Sequence, residues 1–319
     1  MSRQPLVLVL AQQDEPQFKL LKGLPHVIGN QAEDFIEAAK EASVIVRWSG
    51  PREVLRSVFL MAPKVRWVHS FSAGLDNLLF PELVESEVPL TNSSGVFSDS
   101  LGEFALGVML YFAKDFRRLL RNQAARRWEP FDVDKIAGQT LGIVGYGSIG
   151  RAVAWRAHAL GMRVHALRRR SNPETADEVV EQFYGADDLS KMLSRSDYVV
   201  SCLPLTQETR HMISDAEFAA MKPSAIFINV GRGPVVDQAA LVRALTERRI
   251  AGAGLDVFET EPLPEDDPIF QFENVLISPH SADRTREWLD NAMRFFLEQY
   301  ERFRNGEQLK NIVNKRQGY

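Results

Sequence analysis

The stretch Leu141-Gly-Ile-Val144-Gly145-Tyr146-Gly147-Ser148-Ile149-Gly150 decides the fold. Leu141–Val144 is a short apolar run that reads as a buried strand, and Ile149–Leu160 reads as a helix. A G-x-G-x-x-G pattern between a strand and a helix is far more specific than the pattern alone. Gly145 makes the tight turn, Gly147 lets the backbone approach a pyrophosphate, and Gly150 allows the helix to pack closely on the strand. The helix N-terminus then favours the anion. Tyr146, Ser148 and Ile149 complete this expected cofactor-binding turn. A glycine turn in an ordinary βα unit is the competing reading, and the flanking strand and helix count against it.

Strands continue downstream at Arg163–Leu167, Tyr198–Leu203, Ala225–Val230, Gly252–Leu255 and Val275–Ile277, with helical stretches between them. Upstream, Leu6–Ala11, Val44–Trp48 and Val65–His69 read as strands, and Ala32–Ala42 and Pro51–Leu60 as helices. This first half has no glycine-rich phosphate turn. A helix over Ser98–Leu120 crosses into the second half, and a helix over Thr285–Phe303 returns the chain to the first. Alternation of this kind implies parallel sheets built from βαβ units. The expectation is α/β, with two doubly wound parallel-sheet domains and a cleft between them. A Rossmann coenzyme domain spans 101–287, and a discontinuous flavodoxin-like substrate domain spans 1–100 and 288–319.

The bulk numbers agree with a globular protein of two domains. The chain has 319 residues, 45% hydrophobic and 25% charged, with a formal net charge of −4. That balance gives no sign of a nucleic-acid or membrane partner. The basic stretch Arg117–Arg127 reads as a solvated face. The apolar run Leu6–Ala11 is too short for a signal-peptide core, and the single cysteine, Cys202, lies in an apolar run. Both point to a reducing, cytoplasmic location.

Coenzyme choice is written at the end of the second coenzyme-domain strand. An NAD site needs an acidic residue there, for the ribose hydroxyl. This chain instead has Leu167-Arg168-Arg169-Arg170. Guanidinium groups bind phosphate oxygens bidentately, so Arg168 and Arg169 predict NADP(H) as the preferred cofactor, with NAD(H) possible.

Three further segments carry chemistry at strand ends, where such sheets bind ligands. They are Asn229-Val-Gly-Arg232-Gly, Leu255-Asp256-Val-Phe-Glu259-Thr-Glu261-Pro and Ile277-Ser-Pro-His280. Hydride transfer to a carbonyl carbon leaves charge on the oxygen, and histidine is suited to supply the proton. A carboxylate beside it would stabilise the imidazolium. An arginine can pair with a substrate carboxylate, and the glycines on either side of Arg232 would let the backbone come close to a ligand. His26, His69, His158, His165 and His211 have no metal-ligand spacing and read as structural or solvent-facing; no metal is expected.

Taken together, the chain resembles the D-isomer-specific 2-hydroxyacid dehydrogenase family, most like its glyoxylate/hydroxypyruvate reductases. The resemblance rests on Ser72-Ala-Gly-Leu-Asp-Asn77, Thr91-Asn-Ser-Ser-Gly95, Gly145–Gly150, Val230-Gly-Arg-Gly-Pro234, Asp256-Val-Phe-Glu-Thr-Glu-Pro262 and Ser278-Pro-His280. It implies a catalytic set of Arg232, Glu261 and His280, with His280 as proton donor and Glu261, which precedes Pro262, preferred over Glu259 as its partner. It also implies that the backbone amides of Ala73, Gly74 and Leu75 hold the substrate carboxylate. Asp256 would accept from the nicotinamide carboxamide, or merely cap a strand end. Leu203, Pro204, Thr209 and Val230 would border the cofactor, and Asn77 and Trp48 are lesser candidates for the pocket. The resemblance further implies a homodimer. It leaves a relative of another class as the alternative, a nucleotide-sensing corepressor that binds partner peptides; formate dehydrogenase, whose histidine pairs with glutamine, fits less well because Glu261 stands here.

Overall fold

A computed structural model describes residues 4–11, 15–169 and 177–319. The chain divides into two compact units, Met1–Phe97 with Arg286–Tyr319, and Ser98–Thr285.

The first unit holds β1 (Val7–Leu10), β2 (His26–Gly29), β3 (Val44–Arg47), β4 (Trp67–Ser70) and β5 (Leu90–Asn92), all parallel, in the order β2-β1-β3-β4-β5. This is the flavodoxin-like winding. Register aligns the strand ends Gly29, Leu10, Arg47, Ser70 and Asn92 in one row. Leu8, Ile45, Leu55, Val58 and Leu83 fill the core on one face. Each such side chain contributes about 1.5–3 kcal/mol on burial. On the other face Trp67 stacks on Phe296 of the last helix, Trp288–Arg304, at 5.5 Å between ring centroids.

The second unit holds β6 (Thr140–Val144), β7 (Arg163–Leu167), β8 (Gln182–Tyr184), β9 (Tyr198–Ser201), β10 (Ile226–Asn229), β11 (Gly252–Leu255) and β12 (Val275–Ile277). Their order, β12-β11-β10-β9-β6-β7-β8, is the Rossmann winding with one strand added. The order reverses between β6 and β9, the usual ligand crevice of such sheets.

Two expected helices differ in form, and β2, β5 and β8 are not among the strands expected from the sequence. Ser98–Leu120 is not one helix but two, Ser98–Ala113 and Phe116–Ala124. Asp115 interrupts them at φ 44, and its side chain accepts from the Arg118 amide, capping the second helix. Ala32–Ala42 is a 3-10 turn, Ala32–Phe35, followed by one α-turn, Ile36–Ala39. Among the described residues no helix is long and apolar enough to cross a membrane.

Candidate active site

Register brings the site segments of the second unit to a single edge. Leu167, Val144, Ser201, Asn229, Leu255 and Ile277 pair in one continuous row. The residues that follow, Arg168, Gly145, Cys202, Val230, Asp256 and Ser278, therefore leave the sheet side by side.

The three glycines of the turn carry the conformations their tasks require. Gly145 has φ 100, a region that disfavours side chains. A Cβ on Gly150 would lie 2.4 Å from the Gly145 carbonyl oxygen, so only glycine permits this helix approach. A Cβ on Gly147 would meet nothing within 4 Å, leaving the backbone open at the N-terminus of the helix Ser148–Ala159. These residues fit a dinucleotide pyrophosphate. Tyr146 closes the turn from outside: its hydroxyl donates to Asp177 at 2.7 Å, and Arg151 lies 3.2 Å from the same carboxylate oxygen. Burial opposes ionisation of Asp177, but the Tyr146 hydroxyl, the Val179 amide and Arg151 outweigh it and hold the carboxyl below its usual range.

At the end of β7, Arg168 lies over the Phe183 ring, its guanidinium carbon 3.9 Å from the centroid. Arg169 reaches Glu208 at 2.8 Å. Arg170 lies outside the described residues. Across the crevice, the segment after β9 is shaped by its own bonds: Thr209 Oγ1 donates to the Pro204 carbonyl at 2.7 Å, and the Thr206 amide donates to Thr209 Oγ1 at 2.8 Å. Leu203 packs against Gly145, and the Val230 amide is bonded to the Ser201 carbonyl at 3.1 Å.

Glu261 and His280 are in direct contact, and a short chain of contacts links them to the backbone beside Arg232, whose own Nη1 donates to the Gly231 carbonyl at 2.8 Å. Gly233 presses on the Phe258 carbonyl, where a Cβ would lie only 1.7 Å from the oxygen. The Phe258 amide donates to Glu261 Oε1 at 2.9 Å, and Glu261 Oε2 lies 2.7 Å from His280 Nδ1. A carboxylate only accepts, so Nδ1 carries the ring proton and Nε2 is the nitrogen left for exchange. His280 has φ 52, and its amide donates to the Asp256 carbonyl at 2.9 Å. A left-handed residue of this size persists only where its surroundings impose it. Glu259, the competing carboxylate, is instead bonded to His211 Nε2 at 2.7 Å and to the Gln238 amide.

The glycines beside Arg232 accommodate neighbouring backbone. Gly233 faces Phe258, and a Cβ on Gly231 would lie 2.7 Å from the Leu203 carbonyl. Asn229, buried and unnoticed in the sequence, braces this segment by donating to the Arg232 carbonyl and accepting from the Gly231 amide. Asp256 Oδ1 accepts from the Ser278 hydroxyl and from the amides of Ser281 and Ala282, which fixes the direction of its carboxylate.

In the first unit, the loop after β4 carries Ala73, Gly74 and Leu75. The Leu75 side chain is buried in the core, while the amides of all three residues have no acceptor among the described residues. Trp48 packs on Phe71, with ring centroids 3.9 Å apart, and Asn77 is exposed.

The model of the D-isomer specific 2-hydroxyacid dehydrogenase NAD binding domain matches residues 106–282. The chain belongs to the D-isomer-specific 2-hydroxyacid dehydrogenases. It is 39% identical to a glyoxylate reductase of Korarchaeum cryptofilum over 81% of this chain and 79% of that one. It is 36% identical to a glyoxylate reductase of Thermococcus gammatolerans, over 89% and 86% respectively. Among solved structures it is similar to a family member from Xanthobacter autotrophicus in complex with NADPH and MES, with a TM-score of 0.85, 31% identity, and 99% and 100% coverage. An NADPH-dependent glyoxylate/hydroxypyruvate reductase from Sinorhizobium meliloti, in complex with NADP and sulfate, gives a TM-score of 0.84 at 25% identity, covering 99% and 100%. As a 2-hydroxyacid dehydrogenase the protein is an oxidoreductase, and its second unit is the nicotinamide-dinucleotide domain.

Proposed function

We propose that this 2-hydroxyacid dehydrogenase uses NADPH to reduce glyoxylate, hydroxypyruvate or a related small 2-oxo acid to the D-2-hydroxy acid. The observation that carries the reading is the His280–Glu261 pair at 2.7 Å, tied through Phe258 to the Arg232 segment. The glyoxylate reductases among the relatives support the substrate class.

The coenzyme supplies the hydride when bound. As the carbonyl carbon accepts it, negative charge grows on the substrate oxygen, and His280 transfers its Nε2 proton there. The imidazole is left neutral, its Nδ1 proton still shared with Glu261. Arg232 binds the substrate carboxylate and helps to polarise the ketone. The amides of Ala73, Gly74 and Leu75 receive the same carboxylate. Arg168 and Arg169 hold the 2′-phosphate, for which Arg169 must exchange Glu208. Gly145–Gly150 hold the pyrophosphate. Leu203, Pro204, Thr209 and Val230 border the coenzyme, and Asp256 receives the carboxamide.

A homodimer and a cytoplasmic location belong to the same reading. The helix Phe116–Ala124 buries none of its residues and exposes Phe116, Leu119 and Leu120, and Trp128 follows fully exposed. A second copy would cover such a surface. The test of the reaction is stoichiometric: NADPH consumed should equal D-2-hydroxy acid formed from glyoxylate-type substrates. Formation of the L-isomer, or no product, would overturn it.

A further inference from the structure

We propose that Asn92 is a positioning residue for substrate: it aims the backbone amides that receive the carboxylate. The proposal rests on the preceding reading of Ala73–Leu75 as the carboxylate loop.

A trans peptide is planar, with its C=O and N–H pointing to opposite sides. Fixing a carbonyl therefore fixes the direction of the next residue's N–H. In this loop three successive carbonyls are each held by a side chain. Ser70 Oγ donates to the Ser72 carbonyl at 3.2 Å, Asn92 Nδ2 to the Ala73 carbonyl at 2.7 Å, and Ser72 Oγ to the Gly74 carbonyl at 3.2 Å. The partnered amides in the same peptides are those of Ala73, Gly74 and Leu75. Each of the three points away from the side chain that anchors its own peptide's carbonyl. Successive N–H groups held in this way can together receive an anion.

Asn92 makes the shortest of the three bonds and is the most firmly held anchor. It ends β5, directly opposite Ser70 in register, and is 7% exposed. Its Oδ1 accepts from the Ser94 amide at 3.2 Å, which orients the side-chain amide so that Nδ2 faces Ala73. From the C-terminal segment, Asn311 Nδ2 donates to the carbonyls of Asn92 and Ser94 at 3.2 and 2.6 Å. Asn92 touches the loop's carbonyl side, so its effect on substrate passes through the backbone.

The test compares Asn92→Ala and Asn92→Asp with the unaltered enzyme, using hydroxypyruvate and glyoxylate. Asn92→Asp keeps the acceptor for Ser94 but turns an oxygen towards the Ala73 carbonyl. Both variants should raise KM for the oxo acid roughly tenfold or more, the weight of a hydrogen bond to a charged group. Their kcat should change less, and NADPH affinity, read by fluorescence titration, should stay within about twofold. Ser72→Ala, at an exposed position, should raise KM by a smaller factor and stands in if the Asn92 variants do not fold. Unchanged KM in the folded variants, or equal losses in KM, kcat and NADPH binding, would overturn the proposal while leaving the reaction intact. If the unaltered enzyme reduces no 2-oxo acid, the reading of the reaction falls instead. In that case oxalate titration of amide resonances 73–75 decides the anchor role: shifts abolished by Asn92→Ala support it, and shifts unaltered by the substitution overturn it.

Discussion

Glu261 grips His280 with one carboxylate oxygen, Oε2 to Nδ1 at 2.7 Å, and grips the backbone with the other, Oε1 to the Phe258 amide at 2.9 Å. The bond to the backbone fixes the carboxylate, and the fixed carboxylate selects the histidine tautomer with its proton on Nδ1. The second histidine–carboxylate pair, His211–Glu259, lies outside this arrangement although Glu259 is only two residues away.

Replacing Glu261 by Gln removes the charge that stabilises the imidazolium. Glutamine keeps the shape but replaces a charge-assisted bond to the ring by a neutral one, so Glu261→Gln should lower kcat/KM for 2-oxo acids roughly tenfold or more. NADPH affinity and Tm should barely change; an unaltered kcat/KM removes Glu261 from the role.

Arg232→Lys tests carboxylate recognition. A lysine keeps the charge but cannot make two parallel bonds. The loss should be about 1.5–3 kcal/mol, or roughly ten- to a hundredfold in kcat/KM for 2-oxo acids. NADPH affinity and Tm should barely move. Near-normal kcat/KM, or equal activity on the matching neutral ketones, places recognition elsewhere.

Coenzyme preference should depend on three side chains. Arg168→Asp with Arg169→Ala should reverse the NADPH over NADH preference, measured as the ratio of kcat/KM values. Glu208→Gln releases Arg169 from an exposed ion pair worth about 0–1 kcal/mol, so NADPH should bind up to roughly fivefold tighter. Weaker NADPH binding in Glu208→Gln would assign Glu208 to the coenzyme itself.

His69 should make the protein sensitive to acid. It is fully buried, with Nδ1 bonded to Thr91 Oγ1 at 2.8 Å, and burial pushes its pKa down to about 3. The unfolded chain binds a proton at this residue below about pH 6.5, while the native state does so only near 3. The stability linked to His69 is therefore complete above that range and is lost as pH falls through it. Urea unfolding between pH 7 and 4, followed for the unaltered protein and for His69→Gln, should show a flatter pH dependence in the variant. Parallel curves would contradict this account.

Much of the architecture was legible because periodicity and glycine spacing act locally. Leu141–Val144 and Gly145–Gly150 could each be assigned a conformation from their own residues, and the observed φ of Gly145 and the packing of Gly150 agree with it. Less legible were features set by tertiary contact. The strands Leu90–Asn92 and Gln182–Tyr184, of three residues each, are too short to show a period, and His26-Val-Ile-Gly29 offers only two apolar residues in a row. Asp115 breaks a long helical pattern by a single left-handed residue. The work of Gly231 and Gly233 could not be read, because Leu203 and Phe258 approach them from distant segments. Asn92 and Asn229 stand inside motifs that give them no task, and only their bonds reveal what they hold.

The most direct test of the central claim is an initial-rate panel on the purified protein. Glyoxylate, hydroxypyruvate, pyruvate, phenylpyruvate and 2-oxoisocaproate are each offered with NADPH and with NADH. The account predicts that NADPH is oxidised with the small oxo acids, at kcat/KM at least about tenfold above NADH, the weight of a charged hydrogen bond to the 2′-phosphate. Oxidation of neither coenzyme by any of the five acids would contradict it.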